Sequence, residues 1–315
     1  MDALPCQLAS RLALEPRKER WLVEGFWSER AVGIVGGEPK SCKSFLALDL
    51  AVSVASGTPF LRRFPVHGKG RVLLFCAEDS LHVVRARLEG IALAAGVDFA
   101  ALEVFVITCP SLRLDLKEDR ERLGATVEAL RPRLLVLDPF VRLHRIDENV
   151  AAEVAPLLEG LRALERRFEV AIALVHHAKK GAAAARGGQA LRGSSELHAW
   201  GDSNLYLRKK ERGLYMAVEH RAAASPENEL ALELRAVGDA LALHVVDDST
   251  EPDGEAPSPA ERLLEALAEA RAPLSVRELR AACRLRTATV IETLSTLADR
   301  GAVLRTPAGY RLPSS

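Results

Sequence analysis

The segment GEPKSCKS, residues 37–44, places a lysine beside a hydroxyl at the beginning of a helical pattern. It directly follows the apolar run AVGIVG, residues 31–36, which is typical of a buried strand. A strand, a loop of the form GxxxxGKS/T and a helix, in this order, hold phosphates, because backbone N–H groups at the helix N-terminus surround them. We therefore expect Lys43 to contact nucleotide phosphates and Ser44 to bind an accompanying Mg²⁺ ion.

Every residue of this loop is a candidate nucleotide contact, and one position departs from the pattern. The candidates are Gly37, Glu38, Pro39, Lys40, Ser41, Cys42, Lys43 and Ser44. Cys42 stands where the pattern has a glycine, so its Cβ either crowds the nucleotide or requires a less permissive backbone angle. This substitution predicts a lowered affinity or turnover. A thiol beside a phosphate also suggests sensitivity to alkylation or oxidation, and the alternative role of this thiol is that of a small buried filler.

Carboxylates close two of the other apolar runs. RLLVLD ends in Asp138, and RVLLFCAE ends in Glu78, which Asp79 follows. The carboxyl ends of parallel strands meet at one edge of a sheet, where such sheets bind their ligands. We expect Asp138 to hold the metal ion together with Ser44. Glu78 is expected to orient the attacking water in phosphoryl transfer, with Asp79 as a competitor for that role.

A third apolar run, EVAIALVHH, ends in the neighbouring histidines His176 and His177. Neighbouring residues of a strand point to opposite faces of the sheet, so these two side chains do not readily share a metal ion. One of them is a candidate sensor of the terminal phosphate. The alternative is a structural histidine whose hydrogen bonds are satisfied within the protein.

The elements that position these residues alternate between short apolar runs and longer amphipathic segments, as in βαβ units. The runs are apolar on both faces, which predicts a parallel sheet with helices on each side and an α/β fold. The later runs SNLYLRKKE, LYMAVEH, LALELRA and LALHVV predict antiparallel strands that extend the sheet. The predicted core strands are 31–36, 71–78, 103–107, 133–138 and 169–177, and the predicted helices are 43–56, 80–95, 117–130 and 149–167.

The length of 315 residues suggests about two domains. The segment DDSTEPDGEAPSP, residues 247–259, is acidic and rich in proline and glycine, which is typical of an extended linker. We therefore predict an N-terminal segment (1–30), an α/β domain (31–246), this linker, and a small C-terminal domain (260–315).

The C-terminal domain has the pattern of a winged helix: three helical segments and then two short runs around a PAG turn. Residues 261–313 contain nine arginines and six acidic residues, a net basic charge of three. Residues of the third helix and the wing are candidate DNA contacts, namely Arg284, Arg286, Thr287, Thr289, Arg305 and Arg311. Because the charge excess is small, a protein-interaction module is the alternative.

The composition excludes several classes of protein. Basic and acidic residues both total 43, so no overall field attracts the chain to nucleic acid, and any basic surface is local. The five cysteines form no CxxC pair, which argues against a zinc site or a disulfide framework. The N-terminus lacks the apolar region of a secretory signal, and no stretch approaches the ~18 apolar residues that span a bilayer. We expect a cytoplasmic protein without membrane contacts.

The motifs WLVEGFW, GEPKSCKS, FCAED, LLVLDPF, LVHHAKK and LRGSSELHAWGDSNLYL, in this order, resemble the RecA-superfamily ATPases, and among them the RepA-like group of hexameric plasmid replication helicases. The resemblance covers roughly residues 20–245. It implies a RecA-like P-loop core, ATP and Mg²⁺ as cofactors, and a homo-oligomeric ring or filament, expected to be hexameric, with nucleotide between protomers.

The resemblance also implies roles for individual residues. It makes Lys43 and Ser44 the nucleotide contacts, Glu78 the catalytic glutamate, Asp138 the Walker B acid and His176 the sensor.

The basic, glycine-rich segment KKGAAAARGGQALRGSS falls where this superfamily has its DNA-touching loop, and its candidate contacts are Lys179, Lys180, Arg186 and Arg192. In relatives, a basic residue on a late strand reaches the γ-phosphate of the neighbouring protomer. Arg221 matches this residue best, with Arg212 as the second candidate. The alternative for all these residues is a solvated surface charge.

These observations favour an ATP-hydrolysing protein that acts on DNA, in replication or in the maintenance of mobile elements. Two alternatives remain. One is a nucleotide-gated DNA-binding regulator with poor turnover, and the other is a scaffold with an inactive phosphate loop. Retention of both Glu78 and Asp138 favours hydrolysis.

Overall fold

The structure is a computed structural model that describes residues 6–11, 21–177, 195–210, 213–226, 228–246, 259–270, 272–283, 287–299, 301–307 and 309–313. The chain divides into two compact units, Met1–Asp247 and Asp248–Ser315. Within the described ranges, no helix is both long and apolar enough to cross a membrane. The finer division into four regions stays a prediction.

The first unit alternates strands and helices. Its strands are β1 (Trp21–Val23), β2 (Trp27–Ser28), β3 (Val32–Gly37), β4 (Val72–Cys76), β5 (Val104–Val106), β6 (Leu134–Asp138), β7 (Ala171–His177), β8 (Ser203–Lys210), β9 (Gly213–His220), β10 (Leu230–Val237) and β11 (Ala240–Val245). Its α-helices are α1 (Lys43–Ser56), α2 (Leu81–Ala94), α3 (Lys117–Leu130), α4 (Ala151–Phe168) and α5 (Ser195–Trp200). Short 3-10 helices lie at Ala9–Arg11, Phe99–Ala101 and Phe140–Arg142.

Nine of the described strands form one sheet in the order β11-β10-β9-β8-β3-β7-β6-β4-β5. The six strands from β8 to β5 are parallel, and β9, β10 and β11 extend the sheet in antiparallel fashion. β1 and β2 form a separate hairpin. The carboxyl ends of β3, β4, β6 and β7 therefore share one edge, which we call the carboxyl edge.

Two apolar clusters cover the two faces of the sheet. One cluster packs α1 and α2 against the sheet, and the other packs α3, α4 and α5 against the opposite face. On β3, the side chain of Ile34 belongs to the second cluster and that of Val35 to the first. Burial on both faces explains why the parallel strands are apolar without alternation.

Two glycines allow β3 to approach β8 closely. A Cβ at Gly33 would lie 1.6 Å from the carbonyl oxygen of Ser203, and a Cβ at Gly37 would lie 2.5 Å from that of Leu207. Both separations are far below van der Waals contact. A side chain at Gly33 would push the two strands apart at the start of β3, and a side chain at Gly37 would push them apart at the base of the phosphate loop.

The second unit contains three helices and a two-stranded sheet among its described residues. They are α6 (Pro259–Glu269), α7 (Val276–Cys283), α8 (Thr287–Asp299), β12 (Leu304–Thr306) and β13 (Gly309–Arg311), and the two strands are antiparallel. Leu263, Leu279 and Leu294, one from each helix, share a buried apolar cluster. This order of elements is the order expected for a winged helix, and the winged-helix assignment itself stays a prediction.

The predicted α/β class is confirmed, and the nine predicted core elements agree with the structure to within about two residues at each end. The four later runs form β8, β9, β10 and β11, each antiparallel to the next as predicted, while β8 also pairs in parallel with β3. The hairpin of β1 and β2 has no counterpart among the predicted elements.

Candidate active site

A cavity of about 320 Å³ lies at the carboxyl edge, beside the start of α1. It is lined by Lys40, Ser41, Cys42, Lys43, Ser44, Phe45, Cys76, Glu78, Asp79, Arg87, Asp138 and His177. The phosphate loop, the candidate carboxylates after β4 and β6, and one histidine thus meet in one place. Strand order explains the convergence, because β3, β7, β6 and β4 are consecutive in the sheet.

The carbonyl oxygen of Glu38 organises the loop. It accepts hydrogen bonds from Lys43 Nζ at 2.6 Å and from Ser41 Oγ at 2.7 Å. Lys43 is only 5% exposed. Burial lowers its pKa to about 8, although Asp138 and other nearby groups act in the opposite direction. A phosphate that replaced the carbonyl would raise the pKa of Lys43 again, because it brings negative charge to the same amino group.

Cys42 occupies a left-handed backbone conformation, with φ 64° and ψ 22°, immediately before α1. A residue with a Cβ costs about 1–2 kcal/mol in this conformation, which explains why the pattern has glycine here. Of the two predicted consequences of Cys42, the structure therefore shows the unfavourable backbone angle. The thiol is half-buried, and burial raises its pKa, so it is mainly protonated at neutral pH.

Asp138 and Ser44, which are predicted to hold the metal ion, both line the cavity. They are joined by a side-chain hydrogen bond. Burial raises the pKa of Asp138 to about 6, and Asp79 and Glu78 add to the increase. Within the described residues, no group of three or more metal-binding side chains is arranged to hold an ion by itself. The pair fits Mg²⁺, which proteins often bind through one or two carboxylates plus the phosphates of the substrate.

The two carboxylates after β4 have different partners. Glu78 Oε1 accepts a hydrogen bond from Arg142 Nε at 2.9 Å, and both side chains are roughly half-exposed. Asp79 is ion-paired with Arg87 of α2, and both of these side chains are about three-quarters buried. Glu78 is the freer of the two carboxylates, because its partner is held only at the surface. This difference favours Glu78 over Asp79 as the water-orienting group.

The structure places His177, rather than His176, in the wall of the cavity. His176 is 1% exposed, and its ring packs edge-on against Phe140 on the other face of the sheet, with 5.8 Å between ring centroids. The sensor role predicted for His176 is therefore transferred to His177. Burial and the charge of Lys43 lower the pKa of His177, so its ring is neutral near pH 7.

Arg221 lies far from the cavity of its own protomer. It follows β9, which is antiparallel to β8, and its guanidinium lies 3.6 Å from a carboxylate oxygen of Asp202. Asp202 also accepts a hydrogen bond from the backbone N–H of Val32, at the start of β3. The cavity is at the other end of β3, about 17 Å away at ~3.3 Å per residue. Arg221 therefore belongs to the amino edge of the sheet.

The remaining predicted residues are distributed as follows. Lys179, Lys180, Arg186, Arg192, Arg212, Arg284 and Arg286 lie outside the described residues. Thr287 begins α8, Thr289 is half-buried, and Arg305 and Arg311 are exposed on the two short strands. The predicted nucleic-acid contacts thus stay predictions.

Two arginines beside the cavity were not predicted from the sequence as site residues. Arg87 lines the cavity, and Arg142 pairs with Glu78. A signal for Arg87 is present in the sequence, because it lies three residues after the buried Val84 and four before the buried Ile91, on the same face of the helix. A charged residue on the buried face of a helix needs a partner, and it is a candidate for a site.

The fold and this cavity define an α/β core of the RecA-like type with a phosphate loop. The family described as AAA domain matches residues 3–183, more than half of the chain, and the chain belongs to this family. Among solved structures, one ATPase domain superposes with a TM-score of 0.50 at 12% identity, covering 64% of this chain and 81% of that one. This similarity supports the fold. A KaiC-like protein from Pyrococcus horikoshii aligns with a TM-score of 0.46 at 15% identity, covering 71% and 93%.

Proposed function

We propose that the chain is a cytoplasmic, Mg²⁺-dependent ATPase that acts on DNA as a motor or a switch, in replication or in the maintenance of mobile elements. Its ATPase domain is residues 31–246, joined through a linker at 247–259 to a winged helix at 260–315, with an N-terminal segment at 1–30. One observation carries the ATPase part: the phosphate loop, the Ser44–Asp138 pair and Glu78 line a single cavity.

Each residue has a part in the proposed reaction. Lys43 and the N-terminal N–H groups of α1 bind the phosphates. Ser44 and Asp138 hold the Mg²⁺ ion, which neutralises charge on the transferred phosphoryl group when bound. Glu78 orients the attacking water. His177, neutral and in the cavity wall, donates a hydrogen bond from its ring N–H to an oxygen of the terminal phosphate.

The support for the proposed action on DNA is separate from the cavity. It comes from the resemblance to RepA-like helicases, from the basic segment after β7, and from the order of elements in the second unit. In this proposal Lys179, Lys180, Arg186 and Arg192 contact single-stranded DNA. Arg284, Arg286, Thr287, Thr289, Arg305 and Arg311 contact DNA through the winged helix.

We further propose assembly into a homo-oligomeric ring, expected to be hexameric, in which an arginine reaches the nucleotide of the neighbouring protomer. Arg221 is ion-paired with Asp202 at the amino edge, so reaching a neighbour would require breaking this pair. Arg221 stays the first candidate, and Arg212, which lies outside the described residues, stays the second.

The test is ATP hydrolysis by the full chain, with Mg²⁺ or with EDTA and with or without single-stranded DNA. We expect Mg²⁺-dependent hydrolysis that K43A and E78Q abolish. K117A is a matched control, because Lys117 is an exposed lysine whose ion pair to Glu121 is on the surface. Absence of hydrolysis and of Mg²⁺-dependent ATP binding would overturn the proposal. If DNA leaves the rate of ATP hydrolysis unchanged and no strand separation occurs, the protein is not a motor.

The second candidate function is a nucleotide-gated DNA-binding regulator with little hydrolysis. The observation that favours it is the left-handed, non-glycine backbone at Cys42, next to a lysine held by Glu38. ATP binding without turnover, together with DNA binding that depends on ATP, would select this candidate. A protein that neither binds nor hydrolyses nucleotide would be a scaffold.

A further inference from the structure

Arg87 is a cation of α2 in the wall of the nucleotide cavity, and the proposed reaction gives it no part. Its side chain is 25% exposed. The guanidinium group of an arginine carries a positive charge in proteins. The charge must therefore be balanced by groups in or around the cavity.

Two contacts fix the position of this guanidinium. It lies over the ring of Phe45, with 5.0 Å between Cζ and the ring centroid, and its Nη1 donates a hydrogen bond to Asp79. Phe45 is the third residue of α1. The guanidinium is therefore held beside the first turn of the helix, where backbone N–H groups have no partner within the helix.

Electrostatic effects on two thiols agree with this position. Arg87 counteracts the rise in the pKa of Cys42, in the phosphate loop, and the rise in the pKa of Cys76, at the end of β4. Its charge thus acts on both sides of the cavity. Hydrogen bonds from Nε or Nη2 of Arg87 to other described residues are absent, so these donors can serve a ligand.

We propose that Arg87 binds the phosphate chain of the nucleotide in its own protomer, at the part that ATP and ADP share. The inference rests on the proposed nucleotide site. The planar fork of a guanidinium matches phosphate oxygens and binds them with charge-assisted hydrogen bonds. Lys43 and Ser44 face Asp138 and the metal position. Arg87 instead faces the helix start, on the Phe45 side.

The proposed contact does not require the loss of the Asp79 pair. A guanidinium has five N–H donors, and one edge bonds to Asp79 while the other remains for phosphate. Asp79 orients Arg87, and the Phe45 ring prevents it from folding away from the helix start. Arg87 is thus a preformed binding group, which reduces the conformational entropy lost on binding.

The test measures binding of MgATP and MgADP to the full chain, for wild type, R87A and R87Q. The matched control is R85A. Arg85 is on the same helix, pairs with Glu89 on the surface and lies 5.7 Å from the centroid of the Phe99 ring, but it does not line the cavity. We expect both Arg87 variants to bind both nucleotides about tenfold or more weakly, and R85A to bind them as wild type does.

The outcomes separate this inference from the proposed function. If wild type fails to bind either nucleotide, the proposed function fails first. If wild type binds and the Arg87 variants bind equally well, the inference alone is overturned. A loss confined to ATP, or an equal loss in R85A, would also overturn it. Melting temperatures without nucleotide identify unfolded variants, and R87Q, which keeps most of the side-chain volume, replaces R87A if that variant does not fold.

Discussion

The value of kcat/KM for ATP hydrolysis should follow a bell-shaped dependence on pH. Productive binding of MgATP needs Lys43 charged, to contact the phosphates, and Asp138 ionised, to attract the metal. Burial lowers the pKa of Lys43 to about 8 and raises the pKa of Asp138 to about 6. Because kcat/KM reports the pKa values of the free enzyme, it should fall below pH ~6 as Asp138 is protonated, and above pH ~8 as Lys43 loses its proton.

The size of each effect follows from these two pKa values. One pH unit beyond either pKa, only about a tenth of the molecules keep the competent form, so kcat/KM should fall about tenfold at pH ~5 and at pH ~9. This loss corresponds to about 1.4 kcal/mol of transition-state stabilisation. The profile of kcat should be flatter, because bound phosphate and metal favour the charged form of both groups.

Initial rates at ATP concentrations far below KM, with excess Mg²⁺, measure this profile, and the melting temperature at each pH shows where the protein stays folded. K43R keeps its charge over the whole range, so it should lower the rate and remove the alkaline limb. A flat profile from pH ~5 to ~9 in folded protein would refute the reasoning. An alkaline limb that persists in K43R would assign that limb to another group.

Three further perturbations test separate features. Asp49→Ala should lower the free energy of unfolding by about 3–5 kcal/mol in chemical denaturation, because it leaves Arg62 without its buried carboxylate at 2.7 Å; a loss below ~1 kcal/mol would contradict this. Cys42→Gly should raise the free energy of unfolding by up to about 1 kcal/mol and tighten ATP binding, because glycine relieves the left-handed conformation; calorimetry checks both quantities. Arg142→Ala should raise the DNA-independent ATPase rate by at most about fivefold at unchanged melting temperature, since an exposed pair to Glu78 contributes little stability; a slower rate would instead make Arg142 a support for Glu78.

Much of the site could be predicted from the sequence. Lys43, Ser44, Glu78 and Asp138 each follow an apolar run, and parallel strands bring their carboxyl ends to one edge. The convergence of these four residues depends only on the type and direction of the elements. Because it does not depend on how any helix packs, it could be predicted from the sequence.

The sequence does not determine in the same way which of the two histidines lies on the face of the phosphate loop. Alternation along β7 places His176 and His177 on opposite faces, but the sequence does not say which face α1 covers. In the structure, Val175 packs in the same cluster as α1 and Leu174 packs in the other. His177 therefore shares the face of the phosphate loop. The face of the sheet on which each histidine lies is thus set by helix packing, and the sensor role itself stays a prediction.

The position of Arg221 could have been inferred from the predicted hairpin. β9 returns antiparallel to β8, so a residue after the end of β9 lies at the amino edge, beside the residue that precedes β8. Asp202 is that residue, and Arg221 pairs with it. Strand direction alone separates Arg221 from the carboxyl edge. The resemblance that singled out Arg221 rests on the order of motifs and contains no information about strand direction.

The functional groups of the cavity are each bonded to another part of the protein. Lys43 donates to the Glu38 carbonyl, Asp138 accepts from Ser44, and Glu78 accepts from an exposed arginine. A nucleotide must exchange these bonds for its own, so its affinity is a difference between two sets of polar contacts. The weakest internal bond is the exposed pair at Glu78. A competing anion would therefore break the pair between Glu78 and Arg142 at the smallest cost in free energy. Of the three groups, the proposed water-orienting group Glu78 is thus the one that is released most easily.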